Sequence, residues 1–208
     1  MSRPGYGGGD LPAVFPDWSP YQDLESAARA YLRDPDVALE ALGGVLRGAS
    51  VLGFTLERFV NEVNGVWQEV VVCDGSRLIL WHGEDVPPGE GPPGSMTSSL
   101  RVVPVSTVTE VGCRRRLNRS DSGEIRVDSI DVYLLLTSLD EAPPSEEMAG
   151  TPRHDALRFG KTLDDGGAGQ IARLEEFARL VASVVGRRAR SKGRTASAAA
   201  YSSIRSGA

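Results

Sequence analysis

The order of elements along this chain predicts an α+β fold. Three observations carry that reading. Apolar residues recur with a period of two from Thr55 to Phe159; they recur with a helical period over Gly169–Arg187; and two short helical signals precede both. At 208 residues the chain has room for one full core and not for two. Composition divides it into a flexible N-terminus at 1–19, a short helical segment at 20–50, a β-rich body with its helix at 51–187, and a basic flexible tail at 188–208.

The helical segment opens at Ser19-Pro20, where Ser suits an N-cap and Pro the first helical position. Leu24, Ala28 and Tyr31 then fall on one helical face. Asp34-Pro35 repeats the start signal, and Leu39, Leu42 and Leu46 give a second face. Neither helix is long enough to stand without packing on something.

Strand signals follow. Leu56–Val63 runs into Asn64-Gly65, which predicts a two-residue type I′ hairpin turn. Val66–Cys73 holds the unbroken Val70-Val71-Val72 of a central strand. Asp74-Gly75 is a second tight turn, and Arg77–His82 a third strand. Gly83–Thr97 carries four prolines and reads as a loop. Strands resume at Leu100–Val103 and Val105–Arg114, turn near Asn118–Gly123, and continue through Glu124–Thr137, with Ile130, Val132, Leu134 and Leu136 on one face. Ser138–Arg153 is a Pro- and Glu-rich loop, and Ala156–Phe159 a short closing strand. The final helix has the clearest pattern. Ile171, Leu174, Ala178, Val181 and Val185 make a stripe widened by Phe177 and Val184, while Arg173, Glu176 and Arg179 are expected to face water.

Charge is unevenly placed. Six of the 23 basic residues and none of the 28 acidic ones lie from Arg187 onward, so the preceding body holds 17 basic residues against 28 acidic ones. An acidic body disfavours specific nucleic-acid binding, which needs clustered positive charge. No apolar run reaches the ~18–20 residues of a membrane span, and the N-terminus has no apolar signal core, so a cytoplasmic location is expected. Peripheral contact with a membrane surface stays open.

Catalytic and cofactor patterns are weak. His82 and His154 lack Cys or acidic partners at metal-ligand spacing, and Cys73 and Cys113 belong to no CxxC pair. Asn118–Glu124 suits a polar turn better than a calcium loop, since no Glu stands at its twelfth position. Gly166-Gly167-Ala168-Gly169 lacks the lysine of a phosphate loop. No catalytic residue, metal or cofactor is therefore expected. Two basic clusters remain as candidate anion- or partner-binding sites: Arg114, Arg115, Arg116 and Arg119 in one, and Arg187, Arg188, Arg190, Lys192 and Arg194 in the other.

A strand meander, a second set of strands and one C-terminal amphipathic helix resemble the pleckstrin-homology-like (PH-like) superfold. Val70–Glu84 and Leu100–Val111 resemble the corresponding strand segments of bacterial members, including small uncharacterised actinobacterial proteins. The resemblance covers about Phe54–Arg187. It implies an antiparallel six- to seven-stranded open barrel capped by the C-terminal helix and preceded by the two short helices. It also implies a non-catalytic binding or adaptor domain, engaging a protein partner through a sheet edge or groove. Headgroup-binding members carry basic residues beside the first strand–strand loop, whereas here Glu57, Glu62 and Glu69 outnumber Arg58. The alternatives are weak binding of an anionic membrane or nucleic acid through the basic tail, or a hydrolase whose site the sequence hides.

Overall fold

A computed structural model describes residues 16–61, 64–137 and 155–205, with side chains in the last helix described as far as Arg187. Two short helices, α1 (Leu24–Tyr31) and α2 (Pro35–Leu46), come first. Seven strands follow among the described residues: β1 (Gly53–Val60), β2 (Val66–Cys73), β3 (Arg77–Asp85), β4 (Met96–Pro104), β5 (Val108–Arg119), β6 (Ile125–Leu136) and β7 (Asp155–Thr162). A single 3-10 turn, Val105–Thr107, lies between β4 and β5, and α3 (Gly167–Arg205) ends the chain.

The strands divide between two antiparallel sheets, one in the order β1-β2-β3-β4 and one in the order β5-β6-β7. Among the described residues no ladder joins β4 to β5 or β1 to β7. The α+β class and the terminal helix are as expected, but the strands do not close into a barrel.

Strand alternation sends each face of the first sheet to a different core. Phe54, Leu56, Val70, Val72, Ile79 and Trp81 pack against α1 and α2 with Ala28, Tyr31 and Leu42. Val71, Cys73, Leu78, Leu80 and Val103 point the other way. They meet Ile130, Val132, Leu134 and Leu136 of β6, Leu157 and Phe159 of β7, and the stripe of α3. That stripe is as expected: Ile171, Leu174, Phe177, Ala178, Val181 and Val184 are all buried.

Several boundaries differ from the sequence reading, each for a local reason. α1 is capped by Asp23, whose carboxylate accepts the Ser26 N–H at 2.8 Å, while Ser19 bonds back to Asp17 in a turn. Trp18, within the segment read as a flexible N-terminus, is fully buried and lies 5.7 Å from the Phe54 ring. The first hairpin has no two-residue turn. Val60 pairs with Val66, which leaves five residues in the loop; Asn64 is left-handed there, and the Asn61 side chain accepts the Gly65 N–H at 2.7 Å. The second turn holds as expected: Gly75 sits at φ +86°, and Asp74 accepts the N–H groups of Ser76 and Arg77. β4 begins at Met96, four residues before the predicted Leu100, because Thr97-Ser98-Ser99 occupy an edge strand that requires no apolar face. α3 runs to Arg205 instead of stopping at Arg187. Beyond the stripe its sequence is rich in Ala and Arg, which favour helix without needing a core.

A polar clasp fixes the helical pair on the first sheet. The Arg33 guanidinium grips Asp85 at the end of β3 through both terminal nitrogens. Asp85 also accepts the Val66 N–H at 2.9 Å, and the buried Gln68 amide accepts the Arg33 N–H at 3.0 Å. Together these bonds satisfy the Arg33 N–H between α1 and α2, where helix ends leave donors orphaned, and the Val66 N–H at the start of β2.

Candidate functional site

The first basic cluster is split by the strand that carries it. Arg114 and Arg116 lie on the outer face of β5, while Arg115 and Arg119 lie on the face toward the first sheet and α3. Arg115 Nη1 reaches Glu175 of α3 at 3.5 Å. Arg114 donates twice to Asp131, at 3.2 and 3.0 Å, and Arg119 donates to the Gly123 carbonyl at 3.2 Å. The four residues therefore form no common patch. Of the second cluster, Arg187 is exposed on α3; Arg188, Arg190, Lys192 and Arg194 belong to the continuation of that helix, and their side chains lie outside the described residues.

On the outer face of the second sheet, Arg158 of β7 joins Arg114 and Arg116, which the sequence alone does not reveal. A groove of about 440 Å³ runs there, lined by Arg114, Asp131, Tyr133, Leu135, Arg158 and Gly160. The Tyr133 ring lies flat over Gly112, where any side chain would collide with it, and its hydroxyl donates to Glu110 at 3.0 Å.

A second polar assembly sits at the corner where β1, β7 and α1 meet. Lys161 is 1% exposed, and its Nζ lies 3.3 Å from the Tyr31 hydroxyl. Glu57 of β1 accepts the Gly160 N–H at 2.8 Å and so fills an edge donor of β7. Burial lowers the Lys161 pKa, while Glu57 and Asp165 oppose that shift. Burial likewise raises Glu57, against the pull of Lys161 and the Gly160 bond.

Glu57 stands directly opposite Glu69 of β2, which stands opposite His82 of β3. In the next row Phe59 faces Trp67, and Trp67 faces Glu84. The Trp67 and His82 rings are 5.2 Å apart, and His82 Nε2 is 3.5 Å from Glu84. Burial, with Glu57 opposite, pushes the Glu69 carboxyl up to about 7. Its unfolded value is near 4.5, so between the two the folded chain holds a proton that the unfolded chain has released. Stability from this group is therefore full below pH ~4.5 and falls as pH rises toward ~7. Glu69→Gln is expected to flatten that slope and raise the melting temperature at pH 8; parallel melting-temperature profiles for the two proteins would refute this.

Arg173 corrects another expectation. Instead of facing water, its guanidinium packs over Trp18 at 5.7 Å and Phe54 at 5.3 Å and donates to Gln22 at 3.2 Å. Cys73 is buried and Cys113 exposed, and both are free thiols. His154 lies outside the described residues. Among the described residues no three His, Cys, Asp or Glu side chains come together as metal ligands, and no helix is long and apolar enough to cross a membrane.

Fold and surface together define a two-sheet α+β protein with a terminal helix. Compared with protein-family models, curated proteins and solved structures, the chain matches none.

Proposed function

We propose that the chain is a non-catalytic protein-binding module of PH-like build, which takes an extended segment of its partner on the free edge of β4. Support for the PH-like part is the order of elements: four strands, three strands, then a helix packed between the sheets. The edge itself carries the functional reading. β4 pairs with β3 over all nine of its residues without a bulge, and among the described residues no strand lies on its other side. Thr97, Ser98, Ser99, Arg101 and Val102 are exposed, Pro stands only at the last position, and Arg101 is the one charge. Folded proteins usually blunt such an edge with lysines, internal proline, bulges or cover; an unblunted one offers main-chain hydrogen bonds to another strand.

A second reading, weak contact with an anionic surface, draws support from the acid-free basic stretch after Arg187 and from Arg114, Arg116 and Arg158 on one face. Salt separates the two, because polybasic contacts weaken steeply with ionic strength and strand addition does not. The test is affinity capture from the native host with wild type and with Ser99→Lys/Val102→Lys. Both positions are exposed, so the melting temperature should stay within a few degrees. A partner retained by wild type at about 0.5 M salt and lost by the double variant supports strand addition. Equal retention by both removes the β4 edge as the site.

A further inference from the structure

One surface of the first sheet serves neither core. It lies at the far ends of β1, β2 and β3 and is tiled by Phe59, Trp67 and His82 with Glu57, Glu69 and Glu84. Phe59 is 57% exposed, although a polar residue would serve better at a strand end facing only water. Directly paired side chains on antiparallel strands stand about 4.5–5.5 Å apart at Cβ, so Phe59 and Trp67 are cross-strand neighbours on this face, and the Trp67 ring in turn meets His82.

The carboxylates beside that platform are unequally compensated. Like charges directly opposite one another destabilise a sheet, and Glu57 and Glu69 are so placed. Glu57 has the Gly160 N–H and lies near Lys161. Glu69 has neither hydrogen bond nor ion pair among the described residues, and Glu84 is half-exposed with only His82 beside it. Lys161 is turned to the Tyr31 hydroxyl, and Arg101 lies a row away on β4. The tile thus sets exposed Phe59 and half-buried Trp67 beside the Glu69 and Glu84 carboxyl groups, which no lysine or arginine side chain of the described residues pairs.

We propose that this tile is a docking surface for a basic peptide segment, with an arginine or lysine side chain laid over the Phe59 and Trp67 rings and its charge met by Glu69 and Glu84. Aromatic faces attract cations through their quadrupole, and guanidinium groups stack on them best. Three adjacent strands span about 10 Å, wider than one ammonium group, so the surface accommodates a segment carrying two or more cations. The same carboxylates repel phosphate, which excludes nucleic acid and anionic lipid as the occupant.

Intrinsic fluorescence provides the readout. Trp18 and Trp81 are fully buried, which leaves Trp67 as the tryptophan a ligand can reach. Hexa-arginine amide is titrated into the full chain at low salt, with hexa-glutamate as the control. A saturable change with hexa-arginine alone, weakened at least tenfold in Glu69→Gln/Glu84→Gln, is the expected result. Phe59→Ser, at an exposed position, should weaken binding at least threefold with the melting temperature retained, and Ser99→Lys/Val102→Lys should leave it unchanged, so that this surface and the β4 edge are judged separately. No saturable change in the wild type, or equal affinity in the carboxamide variant, overturns the proposal; the second result would mean that the peptide binds the acidic body elsewhere.

Discussion

Phe177→Asp is expected to unfold the protein. Phe177 is 2% exposed in the middle of α3, and its ring meets Phe159 of β7 edge-on at 6.4 Å. The same helix face contacts both sheets, so it closes the core between them. Truncating a buried Phe costs about 3–5 kcal/mol. A carboxylate placed there with no partner adds several kcal/mol more, while whole domains are stable by only about 5–15 kcal/mol. Circular dichroism should show no cooperative thermal transition. Phe177→Leu, which keeps an apolar side chain, should still melt cooperatively at a lower temperature. An unchanged melting temperature for Phe177→Asp would mean that α3 is not docked, and the arrangement of the two sheets around it would fall with that result.

Features written in local periodicity were legible in the sequence, and those that depend on distant partners were not. The α3 stripe and the buried row of β6 repeat every turn or every second residue, so each announces its own face. Arg173 follows the polar pattern of its helix, yet its packing partners Trp18 and Phe54 are more than a hundred residues away. Arg114-Arg115-Arg116 reads as one patch in a string of letters. On a strand, consecutive residues point to opposite faces, so adjacency in sequence separates them in space. The Asn64-Gly65 pair offered a tight turn, but pairing of Val60 with Val66 set a longer loop. Thr97-Ser98-Ser99 shows no apolar alternation because all three are exposed on an edge strand, and Ser98 meets the core only by accepting the Trp81 N–H. The candidate surfaces were the least legible part. Phe59, Trp67, Glu69 and Glu84 come from three strands, and only the ladder register places them side by side.

Lys161→Met is expected to destabilise the protein near pH 8, because the Glu57 carboxylate would lose the buried ammonium group that offsets its charge. Lys161 and Glu57 are brought together by β7 and β1, strands in different sheets, and Tyr31 of α1 closes the corner. Methionine fills most of the lysine's volume, so the loss is electrostatic and leaves no large cavity. Glu57 would then keep the Gly160 N–H as its compensation, inside a corner that already raises its pKa by burial. Removing the ammonium group raises that pKa further, so the folded variant takes up a proton that the unfolded chain does not. The penalty should therefore shrink as pH falls and Glu57 takes up its proton in the folded state. Glu57→Gln in the Lys161→Met background removes the stranded charge while its amide oxygen still accepts the Gly160 N–H. The double variant should recover most of the lost stability at pH 8, since neutral replacements of whole buried pairs are often tolerated. Urea denaturation of the wild type, both single variants and the double variant at pH 5 and pH 8 measures the coupling directly. If Lys161→Met alone matches the wild type at pH 8, or if the two losses simply add, the corner is not held by charge and Lys161 contributes only as an apolar stem.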